Sequence, residues 1–386
     1  AKKKKIFYLQ PVTKKTSNRM LKKSFSLLNV ILLIINILFV GLLLMSYLAN
    51  YCFPENYPYI AYTGILYPYL LAGNIIFVII WLFKRKRTIF LSLISIVIGF
   101  SFLPRLYQHK SETSNMDSTF TFKLLSYNAH IFGLYSDEDA HDSIFQYITL
   151  ENPDIICFQE YFQDNKSHKN DSILKTILKS DYKHLHTLGK TKQFGLATFS
   201  KYPIVYKGFL TFTDSSSNKA IFTDILIGSD TVRVYNIHFQ SIHFDKEDYL
   251  FTAKVTDQDV DMKSDEIQSG SKRILQKLKE GYIIRSKQVQ VMVEHMKNSP
   301  YPVLVCGDFN DVPWSYTYQQ ISNLATDAFV KSGKGFGNTF LVNGKIPFRI
   351  DYIFYNEKAF DTFDFTVRKV NYSDHFPIHV LLTFKN

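Results

Sequence analysis

The sequence is poor in cysteine, has no internal repeat and carries no phosphate-binding loop of the P-loop type. Three cysteines in 386 residues argue against a disulfide framework. Cys157 and Cys306 lie inside apolar runs, where a thiol packs as a small hydrophobic side chain. Gly333, Gly335 and Gly337 are not followed by the Lys-Ser/Thr pair that a P-loop requires. The sequence therefore indicates neither cysteine chemistry nor a P-loop nucleotide site.

Acidic residues are almost absent from the first 110 residues, where Glu55 is the only one. This region holds 15 of the 45 Lys and Arg residues, whereas the rest of the chain has 30 basic and 33 acidic residues. The net charge of +11 therefore belongs to the N-terminal region. Because Lys and Arg contacts with phosphates supply most of the affinity for duplex DNA, the remainder of the chain does not resemble a DNA-binding domain in its charge.

The N-terminal region contains long runs without a charged side chain. Residues 24–49 and 59–83 are each long enough to cross a bilayer, which takes about 20 apolar residues. The third run ends at Pro104 and is marginal in length, so it either crosses or forms a re-entrant or interfacial segment. We therefore predict two to three transmembrane helices, at about 24–49, 59–83 and 88–107.

Basic clusters predict the orientation of these helices, because Lys and Arg concentrate in cytoplasmic loops. Residues 1–23 contain nine Lys and Arg and no acid, residues 50–58 contain no basic residue, and residues 84–87 form a second basic cluster. The first apolar run is too long for a signal peptide, and no small-residue cleavage site follows it. We expect a cytoplasmic N-terminus and a third crossing that places the chain beyond residue 107 outside the cytoplasm, on the periplasmic or external face in a bacterium.

The C-terminal part reads as one α/β domain over residues 120–386, after a polar linker at 108–119. Strand-like runs rich in β-branched and aromatic residues are predicted at 120–128, 155–159, 195–200, 220–227, 231–238, 303–306, 351–355 and 378–384. Helical periodicity is present at 139–149, 171–178 and 272–296. The polar residues 243–271 fit neither period and are interpreted as a surface insertion. Two packed sheets flanked by helices are the simplest arrangement.

Polar residues occur repeatedly where the predicted strands end. One such residue is usually a turn or cap residue, but an ordered series suggests a shared cleft. The series comprises Asn128, Glu160, Asn236, His238, Asp308, Asn310, Asp351, Asp374 and His375.

The segments that carry these residues resemble the ordered motifs of the endonuclease/exonuclease/phosphatase superfamily. They are LLSYNAH (124–130), DIICFQE (154–160), GLATFSKYPI (195–204), VYNIHF (234–239), VCGDFND (305–311), RIDYIF (349–354) and SDHFPI (373–378). The resemblance covers residues 120–385 and implies a four-layered α/β sandwich with these loops on one rim. It also implies hydrolysis of a phosphate ester with a divalent ion, Mg²⁺ or Mn²⁺.

The resemblance assigns roles residue by residue. Glu160, Asn128 and Asp374 match metal-side positions, and Asp308 with Asn310 matches the pair that activates the nucleophile and binds phosphate. His238 matches a histidine that contacts a phosphate oxygen. His375 matches a second histidine, for which Asp351 is the supporting carboxylate, and we expect His375 and Asp351 to lie on the exposed rim. Asn236, Arg285 and Gln288 correspond to substrate-binding positions. His130 stands where relatives that act on damaged DNA carry an acid, which argues against a second metal site.

Three functions are compatible with these features. The first is a phosphoesterase that is anchored in the lipid bilayer and acts on a lipid head group or another phosphorylated envelope component. The second is a nonspecific nuclease that digests external DNA, for which Lys272, Arg273, Lys277 and Lys279 offer a local basic patch. The third is a catalytically idle scaffold, which the intact series of site residues disfavours. The sequence identifies no protein partner.

Overall fold

The computed structural model describes residues 14–84, 86–109, 120–133, 140–164, 168–189, 192–212, 219–256 and 262–385. Most of the predicted linker at 108–119 and the first 13 residues of the predicted basic N-terminus lie outside these ranges.

The helices and strands of the described residues follow one another as a helical N-terminal part and a mixed α/β part. The helices are α1 (Lys14–Leu48), α2 (Pro58–Ile65), α3 (Tyr67–Phe83), α4 (Ile89–Ile98), α5 (Leu103–Leu106), α6 (Ala140–Glu151), α7 (Lys169–Leu178), α8 (Lys246–Thr256), α9 (Ser264–Lys297), α10 (Tyr316–Ser322) and α11 (Ala328–Ser332). The strands are β1 (Phe122–Asn128), β2 (Ile155–Asp164), β3 (Tyr182–Leu188), β4 (Lys192–Ser200), β5 (Ile204–Leu210), β6 (Lys219–Ile227), β7 (Asp230–His238), β8 (Val303–Asp308), β9 (Thr326–Asp327), β10 (Phe340–Val342), β11 (Ile346–Phe348), β12 (Asp351–Tyr355), β13 (Phe360–Val367) and β14 (Ile378–Phe384).

The chain forms two compact units. The smaller unit comprises Ala1–Leu44, as far as described, with Pro68–Gly99. In it, the buried amide of Asn36 accepts a hydrogen bond from Trp81 Nε1 at 2.8 Å and donates one to Ser92 Oγ at 2.5 Å. Buried polar groups need such partners, so this network links α1, α3 and α4.

By length and composition, one described helix could cross a membrane alone, with its apolar part at Leu27–Leu48. The second predicted span is a pair, α2 and α3, bent by 69°. The third is α4 and the segment Phe100–Leu106, bent by 54°. Each bent pair fits a broken span or a re-entrant segment by length and composition. The structure thus contains one helix of spanning length, and up to three spans if each bent pair counts as one.

Two six-stranded mixed sheets form the framework of the larger unit, which comprises Met45–Tyr67 and Phe100–Asn386. The first sheet has the order β13-β14-β1-β2-β4-β3, and the second has the order β5-β6-β7-β8-β12-β9. Each contains one parallel pair, β1 with β2 and β7 with β8, next to antiparallel neighbours. The predicted arrangement of two sheets is therefore confirmed.

Apolar side chains fill three layers of this framework. Leu124 and Ile155 of the first sheet pack against Val234 and Leu304 of the second, in the core between the sheets. The outer face of the first sheet packs on α6 and α7, and that of the second packs on α9 and α10. Strands that are buried on both faces carry nearly continuous apolar runs, as β8 does. The result is the predicted α/β/β/α sandwich.

The larger unit includes residues 45–67 and 100–107, which lie outside the predicted catalytic domain at 120–386. Arg105 donates hydrogen bonds to Asn50 Oδ1 at 2.9 Å, to the carbonyl of Pro313 at 2.9 Å and to Gln319 Oε1 at 2.8 Å. These bonds join the segments 45–67 and 100–107 to the loop before α10. Both segments were predicted as parts of the membrane region. The Arg105 side chain bonds them to each other and to the sandwich.

The predicted insertion at 243–271 contains two helical segments, α8 and the start of α9. Asp248 is fully buried and pairs with Arg273 at 2.6 Å and with Lys277. These charged contacts, more than an apolar stripe, attach α8 to α9. The prediction that α9 begins at residue 272 was therefore eight residues late.

Candidate active site

Strand register brings the predicted site residues to one edge of the two sheets. Asn128 ends β1 and lies opposite Gln159 of the parallel strand β2. In the second sheet, Asp308 ends β8 and lies opposite His238 on one side and Asp351 on the other. Because neighbouring strands are separated by about 5 Å, the residues of each pair lie close together, and His238 and Asp308 line the cleft.

A bulge in β2 aims Glu160 into the cleft. The pairing of β2 with β4 shifts between Phe158 and Tyr161, and Glu160 in this bulge has a φ of +49°. Asn310, which follows β8, has a φ of +52°. Non-glycine residues in the left-handed region are strained and cluster at functional sites, and bulges next to active sites re-aim side chains. The backbone is thus distorted at two predicted site residues.

Asp308 Oδ2 is the centre of the polar cluster. It accepts hydrogen bonds from Asn128 Nδ2 at 3.1 Å and Asn310 Nδ2 at 3.2 Å. The Nε2 atoms of His238 and His375 lie 3.7 Å and 3.6 Å from the same oxygen. Two imidazoles and two amides therefore surround one carboxylate oxygen of a side chain that is 1% exposed.

His375 and Asp351 form a buried pair behind this oxygen, joined by Nδ1 and Oδ2 at 2.9 Å. Burial by itself lowers the pKa of His375, but the charges of Asp351 and Asp308 raise it above its usual range. The Thr339 hydroxyl accepts hydrogen bonds from the backbone amides of Ile350 and Asp351 at 3.1 Å. Both members of the pair are buried, which corrects the expectation that they lie on the exposed rim.

Asp374 lies on the wall of the same cleft and pairs with His130, with 2.8 Å between Oδ1 and Nδ1. Burial raises the pKa of Asp374, but the bond to His130 and the charges of His375 and His130 lower it to about 2. The hydrogen bond to Asp374 in turn raises the pKa of His130. The position where the related damaged-DNA enzymes carry an acid is thus occupied here by His130, which is bonded to Asp374.

The oxygen donors around Glu160 suit a hard divalent cation. Mg²⁺ prefers carboxylate and amide oxygens and keeps several water ligands. Asn128 Nδ2 lies 3.5 Å from Glu160 Oε1 and 3.1 Å from Asp308, and the Glu160 side chain is 34% exposed, which leaves room for water. Asp308, Asp351 and His375 also present ligand atoms within 4.8 Å of one another. Since Asp351 and His375 already bond each other, the set around Glu160 is the better fit.

Three predicted substrate-binding residues are buried and bonded to protein. Asn236 lies between the sheets, where it donates to the carbonyls of Phe158 and Ala197 at 3.0 Å and does not line the cleft. The Gln288 side chain accepts from the Gln240 amide at 2.9 Å. Only Arg285 is at the cleft wall, bonded to Asp311 at 3.1 Å and to the Gln240 carbonyl at 2.8 Å. The structure thus gives Asn236 and Gln288 positions that support the site from behind.

The cleft has a volume of about 450 Å³ and includes residues that sequence reasoning missed. Its far side is formed by α8 and the β10–β11 hairpin, which Asn343 joins through a 2.9 Å bond to Thr252. Ile65 of α2, Tyr249 of α8 and Val342 of β10 line the wall. Their apolar or hydroxyl side chains resemble many others in the sequence, and no local pattern identifies them.

Comparisons with known proteins match both parts of the chain. Residues 125–263 and 293–375 match the family described as "Endonuclease/Exonuclease/phosphatase family". Residues 29–106 match a family described as "Domain of unknown function (DUF8431)". No curated protein matches the sequence.

Solved structures that resemble this fold include the human Nocturnin catalytic domain with bound sulfate anion, at 14% identity and a TM-score of 0.47, covering 69% of this chain and 95% of that one. An endonuclease/exonuclease/phosphatase family protein from Bacteroides thetaiotaomicron has 16% identity and a TM-score of 0.46, with coverage of 69% and 99%. A protein of that description from Beutenbergia cavernae DSM 12333 has 15% identity and a TM-score of 0.46, with coverage of 68% and 72%.

Proposed function

Because this chain belongs to the endonuclease/exonuclease/phosphatase family, we propose that it is a membrane-anchored, divalent-metal-dependent phosphoesterase. Its substrate is a phosphate ester of a lipid head group or of another envelope component. The observation that carries the proposal is the convergence of Asn128, Asn310, His238 and His375 on Asp308 Oδ2, next to the carboxylate of Glu160.

The arrangement supplies the groups that hydrolysis of a phosphate ester needs. Asp308 accepts a proton from the attacking water, and Asn310 holds that carboxylate in place through its amide. His238 and His375 donate to the non-bridging oxygens, whose negative charge must be offset as the water approaches. Asp351 fixes the tautomer of His375 and stabilises its charged form.

Glu160 is the residue that would hold the metal, with Asp374 nearby on the cleft wall. Asn128 directs its Nδ2 at Glu160 and Asp308 and so orients both carboxylates. A bound Mg²⁺ or Mn²⁺ supplies positive charge that offsets the negative charge of the phosphate. The bulge at Glu160 keeps this carboxylate directed at the cleft before any ligand arrives.

Two features favour a lipid or envelope phosphate over DNA. Among the described residues that line the cleft, Arg285 is the only Lys or Arg, and it is already bonded to Asp311 and Gln240. Of the predicted basic patch, Arg273 and Lys277 both pair with Asp248 of α8. Duplex binding depends on Lys and Arg that are available to phosphates, which this cleft lacks within the described residues.

A panel of substrates tests this choice. The purified full chain with magnesium is expected to release phosphate or head group from membrane lipids, and to nick plasmid DNA weakly across a salt series. Plasmid nicking that exceeds lipid hydrolysis and falls steeply with salt would instead indicate the nuclease. If no phosphate ester is hydrolysed, the catalytically idle scaffold is the remaining candidate function.

Glu160→Gln keeps the side-chain shape but removes the charge that attracts a hard cation. We expect the magnesium concentration at half-maximal rate to rise at least on the order of 10- to 100-fold, the loss seen for groups that only support a metal ligand. The measurement is the rate as a function of magnesium for wild type and variant. Glu280→Gln, on an exposed part of α9, is the matched control, and an unchanged magnesium dependence of Glu160→Gln removes Glu160 from the metal site.

The proposed topology has three crossings, with the site outside the cytoplasm. A reporter that is active only outside the cytoplasm should be active when fused after Asn386. The same reporter fused after Arg87 should be inactive, because the basic cluster at 84–87 keeps that loop cytoplasmic. Activity of the Arg87 fusion, or inactivity of the Asn386 fusion, contradicts the topology.

A further inference from the structure

The cleft has two chemically different walls. Glu160, His238, Asp308 and His375 form the polar wall. A second group of lining residues, here called the apolar wall, comprises Ile65, Ile242, Ile274, Val342, Ile346 and Phe348. Each of these six side chains is only half-buried, so each leaves apolar surface open to the cleft. Open apolar surface beside a polar reaction centre suits a ligand with one polar and one apolar end.

Helix α2 belongs to the apolar wall and is held there by specific contacts. Ala61 and Ile65 pack with Leu278 and Tyr282 of α9, and the Tyr62 hydroxyl donates to the Leu275 carbonyl at 2.8 Å. The backbone of α2 also approaches the sandwich closely at Gly64.

A Cβ added at Gly64 would lie 2.4 Å from the carbonyl oxygen of Trp314, so any larger residue would push α2 outward. Ile65 is the next residue and is therefore fixed in position at the cleft wall.

Chain connectivity links this wall to the apolar N-terminal region. Ile65 ends α2, and α3, a 17-residue apolar helix, begins two residues later at Tyr67. The segment that supplies Ile65 is thus continuous with a helix that forms part of a candidate span. Only Leu66 separates Ile65 from this helix in the chain.

We propose that the apolar wall binds the hydrocarbon part of an amphiphilic phosphate ester, and that Ile65 determines specificity for it. The inference rests on the proposed function. It adds that the enzyme recognises the hydrocarbon chain of the substrate as well as its phosphate head group. The N-terminal segment is therefore part of the substrate site as well as an anchor.

The test uses the full chain in lipid nanodiscs and two homologous series of soluble probes, 4-nitrophenyl alkyl phosphodiesters and alkyl phosphomonoesters, each with methyl, butyl and octyl chains. Burying one methylene corresponds to about a fourfold gain in binding. We expect kcat/KM to rise on the order of 10- to 100-fold from methyl to octyl in the series that is hydrolysed, which corresponds to burial of about two to three of the added methylenes.

Ile65→Ser should remove much of that gain. We expect a loss on the order of fivefold to 30-fold in kcat/KM for the octyl probe, mainly through KM, with little change for the methyl probe. Comparing variant with wild type on the same probe cancels the partition of longer chains into the nanodisc. Ile65→Val, which removes one methylene, should lose at most about fourfold on the octyl probe.

Ile60→Ser is the matched control, because Ile60 is a half-buried residue of the same helix that does not line the cleft. Equal losses on methyl and octyl probes in Ile65→Ser would make α2 a structural element only and overturn the inference. Hydrolysis without chain-length dependence would also overturn it and leave the phosphoesterase proposal standing. Failure to hydrolyse either series, together with the membrane lipids, would overturn the phosphoesterase proposal itself.

Discussion

Asp308→Asn is expected to lower turnover on the order of 10³- to 10⁴-fold, because one carboxylate serves both as proton acceptor and as the anchor of two imidazoles. Its Oδ2 atom lies within 3.7 Å of both His238 and His375 and accepts from Asn128 and Asn310. An amide of the same shape cannot accept a proton at neutral pH. Its NH₂ group would also face groups that already donate, so both functions are lost.

The measurement is kcat on the best lipid substrate, with circular dichroism and thermal unfolding as checks on folding. Asp230→Asn is a suitable control because Asp230 is exposed at the start of β7, whereas His238 is at its other end. The control should retain wild-type activity. Turnover of Asp308→Asn within about tenfold of wild type would contradict the role of general base, whose usual contribution is about 10²- to 10⁴-fold.

His375→Ala is expected to lower turnover on the order of 10²- to 10⁴-fold, the range for a positioned group that transfers a proton or stabilises charge. Asp351→Asn should cause a comparable loss, because an amide can orient the ring but cannot stabilise its charged form. The double variant should be little worse than either single variant, since residues that act as a unit are strongly non-additive.

A double-mutant cycle on turnover measures this coupling. Because both residues are buried, thermal unfolding of all four proteins must show that each variant folds before rates are compared. A second pair at Asp351→Glu and His375→Gln provides variants of similar volume if alanine or asparagine prevents folding. Fully additive losses would show that the two residues act independently.

The sheets were predictable from the sequence because their central strands are buried on both faces. β8 is a short apolar run that ends at Asp308, and β12 is one that begins at Asp351. This pattern predicted the two strands and the two acidic site residues. The strands that were missed include β3 and β5, each of which pairs through one neighbour within its sheet. The edge strand β3 is rich in polar residues, so its sequence signal is weak, whereas β5 is largely apolar and was missed for no such reason.

The geometry at Glu160 and the apolar wall were not predictable. The bulge that aims Glu160 depends on how β2 pairs with β4, a long-range register that no local pattern encodes. Ile65 lies in a run whose hydrophobicity was fully explained by a transmembrane helix, so its packing near Leu278 left no separate signal. Asn236 was predicted to bind substrate but joins the two sheets. The sequence cannot distinguish these roles, because an asparagine at a strand end has the same sequence pattern in both.

The most direct test of the account is metal reconstitution of the purified, full-length protein. Activity on the best phosphate ester is measured after removal of divalent ions with EDTA, and again after magnesium or manganese is added back. We expect EDTA to abolish phosphate or head-group release and magnesium to restore it in the wild type. Glu160→Gln should need far more magnesium for the same recovery. Hydrolysis that persists at full rate in EDTA would contradict a metal-dependent phosphoesterase.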